Sequence, residues 1–237
     1  MSIITRQLDR NVGPKFLAIS NQDLTEVVRR SAGDNLQILQ TRTRNQLLIT
    51  AKMPDFTVNE PELGGLLTPQ LWVKNDNSGG SALVVGIGLY RFICMNGLYF
   101  GLSSFNIKLR HYDGPKAHGI LDQLPQAIQS AIKAIESGEA LDVAYDALET
   151  KVLDPISVVG NLPDVSNKVK QIVISNILND SGREQDEPET AWGLYNQINE
   201  AARLRARSLY RQASNDIGML DNIIALANAQ QSLNEAA

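Results

Sequence analysis

The chain has 237 residues, 43% hydrophobic and 20% charged, which is ordinary globular composition and enough to bury a core. Its 22 Lys and Arg against 26 Asp and Glu give a net charge of −4, which excludes a global basic field for nucleic acid and confines any polyanion site to a local patch. One Cys excludes an internal disulfide, no apolar run reaches the roughly 18 residues that span a bilayer, and the opening MSIITRQLDRN lacks an apolar signal segment, so a cytoplasmic protein with no membrane partner is expected.

Residues 1–20 read as an irregular arm, with Ile3-Ile4 and Phe16-Leu17 around Gly13-Pro14. Ser20 or Asn21 caps a helix that carries Leu24, Val27 and Val28, and Gly33 ends it behind Arg29 and Arg30. Leu36–Leu39 and Gln46–Thr50 flank a polar run, which predicts a hairpin with Arg42 and Arg44 at its tip. Met53–Leu67, rich in Pro and Gly, is expected to be a loop. Pro69–Asn75 reads as a strand and residues 75–80, NDNSGG, as a turn. Ser81–Cys94 predicts a long strand with Leu83, Val85, Ile87 and Leu89 on one face and Gly86 and Gly88 on the other. Asn96-Gly97 signals a tight turn. Phe105, Ile107 and Leu109 then alternate with Asn106, Lys108 and Arg110, a half-buried strand with a wet side.

After Gly114-Pro115 the period changes from two to that of a helix. Asp122 is read as the cap of a helix carrying Leu124, Ile128, Ala131, Ile132 and Ile135, closed by Gly138. Glu139–Val152 repeats the pattern and Asp154-Pro155 breaks it. Ser166 caps a helix with Val169, Ile172, Val173 and Ile177; residues 179–188 form a polar loop; Thr190–Ser214 and Asp216–Asn234 read as two more helices. The boundary near residue 115 divides a sheet-rich half, 1–115, with one N-terminal helix, from a helical half, 116–237. Amphipathic helices need a surface to cover. The expected fold class is therefore α+β: an antiparallel meander in the N-terminal half, covered by the helical C-terminal half in one structural unit.

Catalytic templates fail. There is no GxxxxGK[ST], HExxH or GxSxG, and GxG at residues 86–88 lies inside a strand rather than opening a helix. With two His and one Cys no metal site is expected, and no cofactor or catalytic residue is assigned. A Cys94/His111 pair across the turn, with Arg91 nearby, has the composition of a nucleophile and its base; the preferred reading is a buried structural Cys beside a hydrogen-bonded His, with Asn96 chosen for its turn. Trp192 and Tyr195, three residues apart on one helical side, either pack inward, the preferred reading, or offer a stacking platform for bases. Arg203, Arg207 and Arg211 follow at four-residue steps on one stripe and suit phosphate oxygens, although such a stripe is more often a solvated face.

Three strings together resemble a known family. They are Asn77-Ser78-Gly-Gly-Ser81-Ala82, Arg91-x-x-Cys94-x-Asn96-Gly97 with the later Arg110-His111, and Trp192-x-x-Tyr195-Asn196 followed by Glu200. The family is domain of unknown function 932, and the resemblance covers roughly residues 69–205 in two blocks. It implies a protein of bacteriophages, plasmids or other mobile elements. The family carries no assigned activity, so none is transferred. A sheet-and-helix protein from such genomes also invites a fold-level comparison with single-strand annealing proteins.

The expected function is therefore a non-enzymatic phage or mobile-element protein that binds single-stranded nucleic acid, in recombination or replication, as a homo-oligomer in the host cytoplasm. Arg42, Arg44, Arg203, Arg207 and Arg211 would hold phosphates, with Trp192 and Tyr195 as the stacking option. Two rivals stand beside it: an assembly component or inhibitor that binds a host protein, and an enzyme that uses Cys94, His111 and Arg91.

Overall fold

Ser20 begins the first helix in the way its hydroxyl allows. The Asp23 amide donates to Ser20 Oγ at 3.4 Å, the bond from the third helical residue back to the cap. A computed structural model describes Phe16 and residues 18–32, 37–42, 45–91, 98–99, 107–109, 111, 117–163, 165–181, 186–203 and 219–235. Among these residues the protein is α+β, with an antiparallel sheet in the N-terminal half and mostly helices in the C-terminal half. Two compact units divide it. One takes in the chain up to Phe56, Pro69–Gly88 and Ser104–Ser137; the other takes in Thr57–Thr68, Leu89–Ser103 and the chain from Gly138 onward.

In the first unit, α1 (Asn21–Ala32) buries Leu24 and Val28 and packs against α2 (Ala117–Glu136). The strands β1 (Gln37–Arg42) and β2 (Gln46–Lys52) form the expected hairpin, with Arg42 opposite Leu47 at its tip. β2 pairs in turn with β4 (Gly65–Asp76), whose first residues belong to the second unit. β5 (Leu83–Arg91) lies beside β4 and pairs through Leu83–Val85 with β7 (Ile107–Leu109). Lys108 is exposed and Leu109 buried, so the wet side expected of that strand is there.

Leu47, Ile49, Leu71 and Val73 share one face of β2 and β4 and are completely buried. The opposite face is largely buried too, although it mixes polar groups with Leu48 and Trp72: Thr50, Gln70, Lys74 and Asp76 are at most 7% exposed. Burial pushes the Lys74 ammonium below its ordinary pKa, and the nearby Asp76 charge pulls part of that shift back.

Asn77 has a structural task that the turn reading leaves out. Its side-chain amide accepts from the Ile19 amide at 3.0 Å and donates to the Ile19 carbonyl at 2.8 Å. One side chain thus satisfies both backbone groups of a buried residue, as a neighbouring strand would. Asn75 adds a bond to Asn21 Oδ1 at 2.9 Å, and Asp76 Oδ1 accepts from the Ser78 amide at 2.9 Å.

Several boundaries differ from expectation. Met53–Leu67 is not a loop: two short 3-10 turns, Pro54–Phe56 and Pro61–Leu63, enclose β3 (Val58–Glu60), and β4 already begins at Gly65. Gly64 and Gly65, at φ 92° and 99°, make the reversal between β3 and β4 possible, because an L side chain is strained there. α2 starts at Ala117, so Asp122 lies inside it rather than capping it, and Pro125 is accommodated within the helix. Asp154-Pro155 does end a helical stretch, but it also starts one. α4 (Pro155–Asn161) has Asp154 as its cap, accepting from the Ser157 amide at 3.0 Å, with Pro155 at the first helical position.

The second unit holds α3 (Glu139–Glu149), α4, α5 (Asn167–Leu178), α6 (Ala191–Arg203) and α7 (Met219–Glu235), with β3 and β6 (Leu98–Tyr99). Ser166 caps α5 as expected, accepting from the Val169 amide at 3.4 Å. α6 packs against α3, α5, α7 and β6, and every residue from Ala191 to Asn199 is buried. Glu60 accepts from the Tyr145 hydroxyl, which pushes the phenol up to about 12 and ties α3 to β3. Among the described residues no helix is long and apolar enough to cross a membrane.

Candidate functional site

Arg91 ends β5 on the same parity as the apolar Leu83, Val85, Ile87 and Leu89. A cation there is costly unless it is paired. The structure pairs it: Nη1 donates to Asp186 Oδ1 at 2.5 Å, with the Arg91 side chain 0% and the Asp186 side chain 3% exposed. Nε makes a longer contact, 3.5 Å, to the Gly64 carbonyl. Gly64 is required here for a second reason besides its φ. A Cβ at that position would stand 1.8 Å from Arg91 Nη2.

α6 closes the same cluster. Gln197 Nε2 donates to the Asp186 carbonyl at 2.7 Å, fixing the segment that carries the carboxylate. Trp192 Nε1 donates to the Leu63 carbonyl at 3.4 Å, in the turn that ends at Gly64. Asn196 turns its amide back to the Trp192 carbonyl at 2.8 Å. Thr190 caps the helix through the Gly193 amide at 3.0 Å. Arg91 from one sequence block and α6, which carries the other, therefore meet in one buried polar assembly: Trp192 reaches the Leu63-Gly64 turn and Gln197 reaches Asp186.

Gly193 is set against backbone. A Cβ there would lie 2.0 Å from the Glu187 carbonyl oxygen. In an open helix Gly→Ala gains about 1 kcal/mol. Here the sign reverses, and Gly193→Ala is expected to lose about 1–3 kcal/mol in urea denaturation, because backbone has to move to admit the methyl.

The residues singled out from sequence fall into three groups. Trp192 and Tyr195 are 1% and 0% exposed, with ring centroids 6.4 Å apart. Burial leaves neither ring a free face, so packing replaces the stacking-platform reading. His111 stacks on Phe16 with centroids 4.8 Å apart, which gives the imidazole an ordinary packing role. Arg203 is the one member of its stripe within the described residues. Its Nε and Nη2 donate to the two Glu200 carboxylate oxygens at 3.1 and 3.0 Å, and these bonds raise its pKa further. The backbone of Arg42 sits at the hairpin tip, and its side chain lies outside the described residues, as do Arg44, Cys94, Asn96, Arg110, Arg207 and Arg211.

Sequence reasoning missed Asp186, Gly64 and Gln197. Asp186 sits in an acidic loop whose composition gives no reason to bury one member. A buried arginine on an apolar parity was the available signal that some carboxylate had to come to it.

The family model described as Domain of unknown function (DUF932) matches residues 10–224. A search of curated proteins found no match, and neither did a search of solved structures. The family match takes in both sequence blocks and the elements that join them around Arg91, and the chain therefore belongs to the family Domain of unknown function (DUF932).

Proposed function

We propose that the protein is a non-enzymatic factor of phages or other mobile elements that binds single-stranded nucleic acid through surface arginines. It would act in the host cytoplasm, in recombination or replication, as a homo-oligomer. The observation that carries this reading is Arg203. It stands at the end of a helix that is buried from Ala191 to Asn199, yet its own side chain is 22% exposed, and Arg207 and Arg211 follow at four-residue steps in the sequence. A partly exposed guanidinium on a fixed base is suited to phosphate oxygens. Arg42 at the tip of the β1–β2 hairpin supports the reading from the other unit.

The test is the salt dependence of binding to labelled oligo(dT). Affinity should fall steeply with salt, and the triple variant Arg203→Ala, Arg207→Ala, Arg211→Ala should flatten the logarithmic slope by about 2, at roughly 0.7 per phosphate contact on a single strand. A slope that the triple variant leaves unchanged excludes the stripe as the contact. No detectable binding at low salt excludes the reading as a whole.

One observation favours an assembly component or an inhibitor that binds a host protein. Leu153, Leu178 and Leu233 are 52%, 68% and 73% exposed, large apolar side chains of the kind protein partners cover. Size exclusion with light scattering, with and without oligo(dT), separates the two: a mass increase only with the oligonucleotide supports nucleic-acid binding, and a defined oligomer indifferent to it supports assembly.

A further inference from the structure

A helix that ends on carboxylates runs against its own dipole, because its last carbonyls already carry partial negative charge. Two helices of the second unit do so at one place. α3 has Asp146 and Glu149 in its last turn, α7 ends on Glu235, and neither has a basic residue in its last turn. The three carboxylates line one groove of 610 Å³, in which Lys151 is the one cation among the described lining residues. None of the three carboxylates is in an ion pair among the described residues. For folding alone this arrangement is unfavourable, and a cation entering the groove offsets both the like charges and the helix ends.

The same groove displays a leucine on a fixed backbone. Gln231 Nε2 donates to the Lys151 carbonyl at 2.7 Å. The Asp154 amide donates to Gln230 Oε1 at 3.2 Å, and Gln230 Nε2 donates to the Asp154 carbonyl at 3.1 Å. Leu153 lies between these two anchors, lines the groove and is 52% exposed. α7 thus holds the segment on both sides of an apolar side chain that stays open to a partner.

We propose that the groove between the end of α3 and the last turns of α7 docks a basic segment of a partner protein, with Arg or Lys against Asp146, Glu149 and Glu235 and an apolar neighbour on Leu153. Charge complementarity selects that occupant: the carboxylates attract a cationic segment and repel the phosphates of a nucleic acid. The inference rests on the partner-protein reading above, to which it adds the partner's chemistry, and is independent of the polyanion reading.

The full-length protein is titrated at low salt into three fluorescein-labelled peptides of equal length, one alternating Arg and Leu, one Arg and Ser, and one Glu and Leu. Wild type should bind the Arg–Leu peptide best and the Glu–Leu peptide least. Glu149→Gln/Glu235→Gln should weaken Arg–Leu binding about three- to tenfold, the range expected for two partly exposed ion pairs. Asp55→Asn/Glu136→Gln, which removes two carboxylates outside the groove, should leave it unchanged. Lys151→Glu should tighten it, and Leu153→Ser should abolish the preference for Arg–Leu over Arg–Ser. The substituted side chains are all exposed, so each variant keeps its core. Arg–Leu binding that Glu149→Gln/Glu235→Gln leaves intact, or that Asp55→Asn/Glu136→Gln weakens equally, overturns the inference. Glu–Leu binding as tight as Arg–Leu overturns it too, and leaves the partner-protein reading standing on the exposed leucines. If no peptide binds, the inference falls, and a monomer by light scattering takes the partner-protein reading with it.

Discussion

Asp186→Ala is expected to destabilise the protein by about 3–5 kcal/mol, the cost of removing one partner of a buried ion pair. The reason is asymmetric. Arg91 is completely buried, and its contact to the Gly64 carbonyl is long, 3.5 Å from Nε. With the carboxylate gone, the guanidinium stays charged in a dry site, since an arginine does not release its proton to escape. Urea denaturation followed by circular dichroism measures the loss. The double variant Arg91→Met/Asp186→Leu should recover most of it, because two apolar side chains of similar size need no mutual solvation. Singles that cost less than about 1 kcal/mol would mean that the pair is open to water in solution.

Trp192→Ala should cost a similar amount, about 3–5 kcal/mol, by emptying the largest fully buried side chain among the described residues. The indole contributes packing against a helix that is buried all round, and its Nε1 also satisfies the Leu63 carbonyl at 3.4 Å. Trp192→Phe keeps most of the volume and loses that bond, so it should fall between wild type and Ala, near 1–3 kcal/mol. In folded samples of either variant, oligonucleotide affinity should stay that of wild type, since the ring has no face to offer a base. A folded Trp192→Phe protein with selectively weakened binding would restore the stacking reading.

What the sequence made legible was local. Ser166 was readable as a cap, and Ser20 as one of two candidates beside Asn21, because a hydroxyl just before a helical run can accept from the amide three residues on. The β1–β2 hairpin and the alternation at Ile107–Leu109 were readable because period two has few imitators. Asp154-Pro155 was readable as punctuation but not as a start, since the same pair ends one helix and opens another. β3 and the early part of β4 were hidden by Pro and Gly, which here shape a reversal between paired strands. The assembly around Arg91 was out of reach for a different reason. Its carboxylate is 95 residues away, and nothing local in a loop of Asp, Glu and Pro says which acid goes inside. The spacing of Trp192 and Tyr195 says that they share a side of α6, but on a helix buried on every side that does not distinguish a packed ring from a displayed one.

The motif residues Arg91, Trp192 and Asn196 thus lie in the buried core of the second unit, and the proposed binding is left to arginines outside that assembly. The most direct test is to remove the ion pair without removing the fold, and then to ask for function. Arg91→Met/Asp186→Leu, shown to be folded by its cooperative urea transition, should bind oligo(dT) with the affinity and salt slope of wild type. A cooperative, folded double variant that no longer binds would make the buried pair part of the site and contradict its role as scaffold.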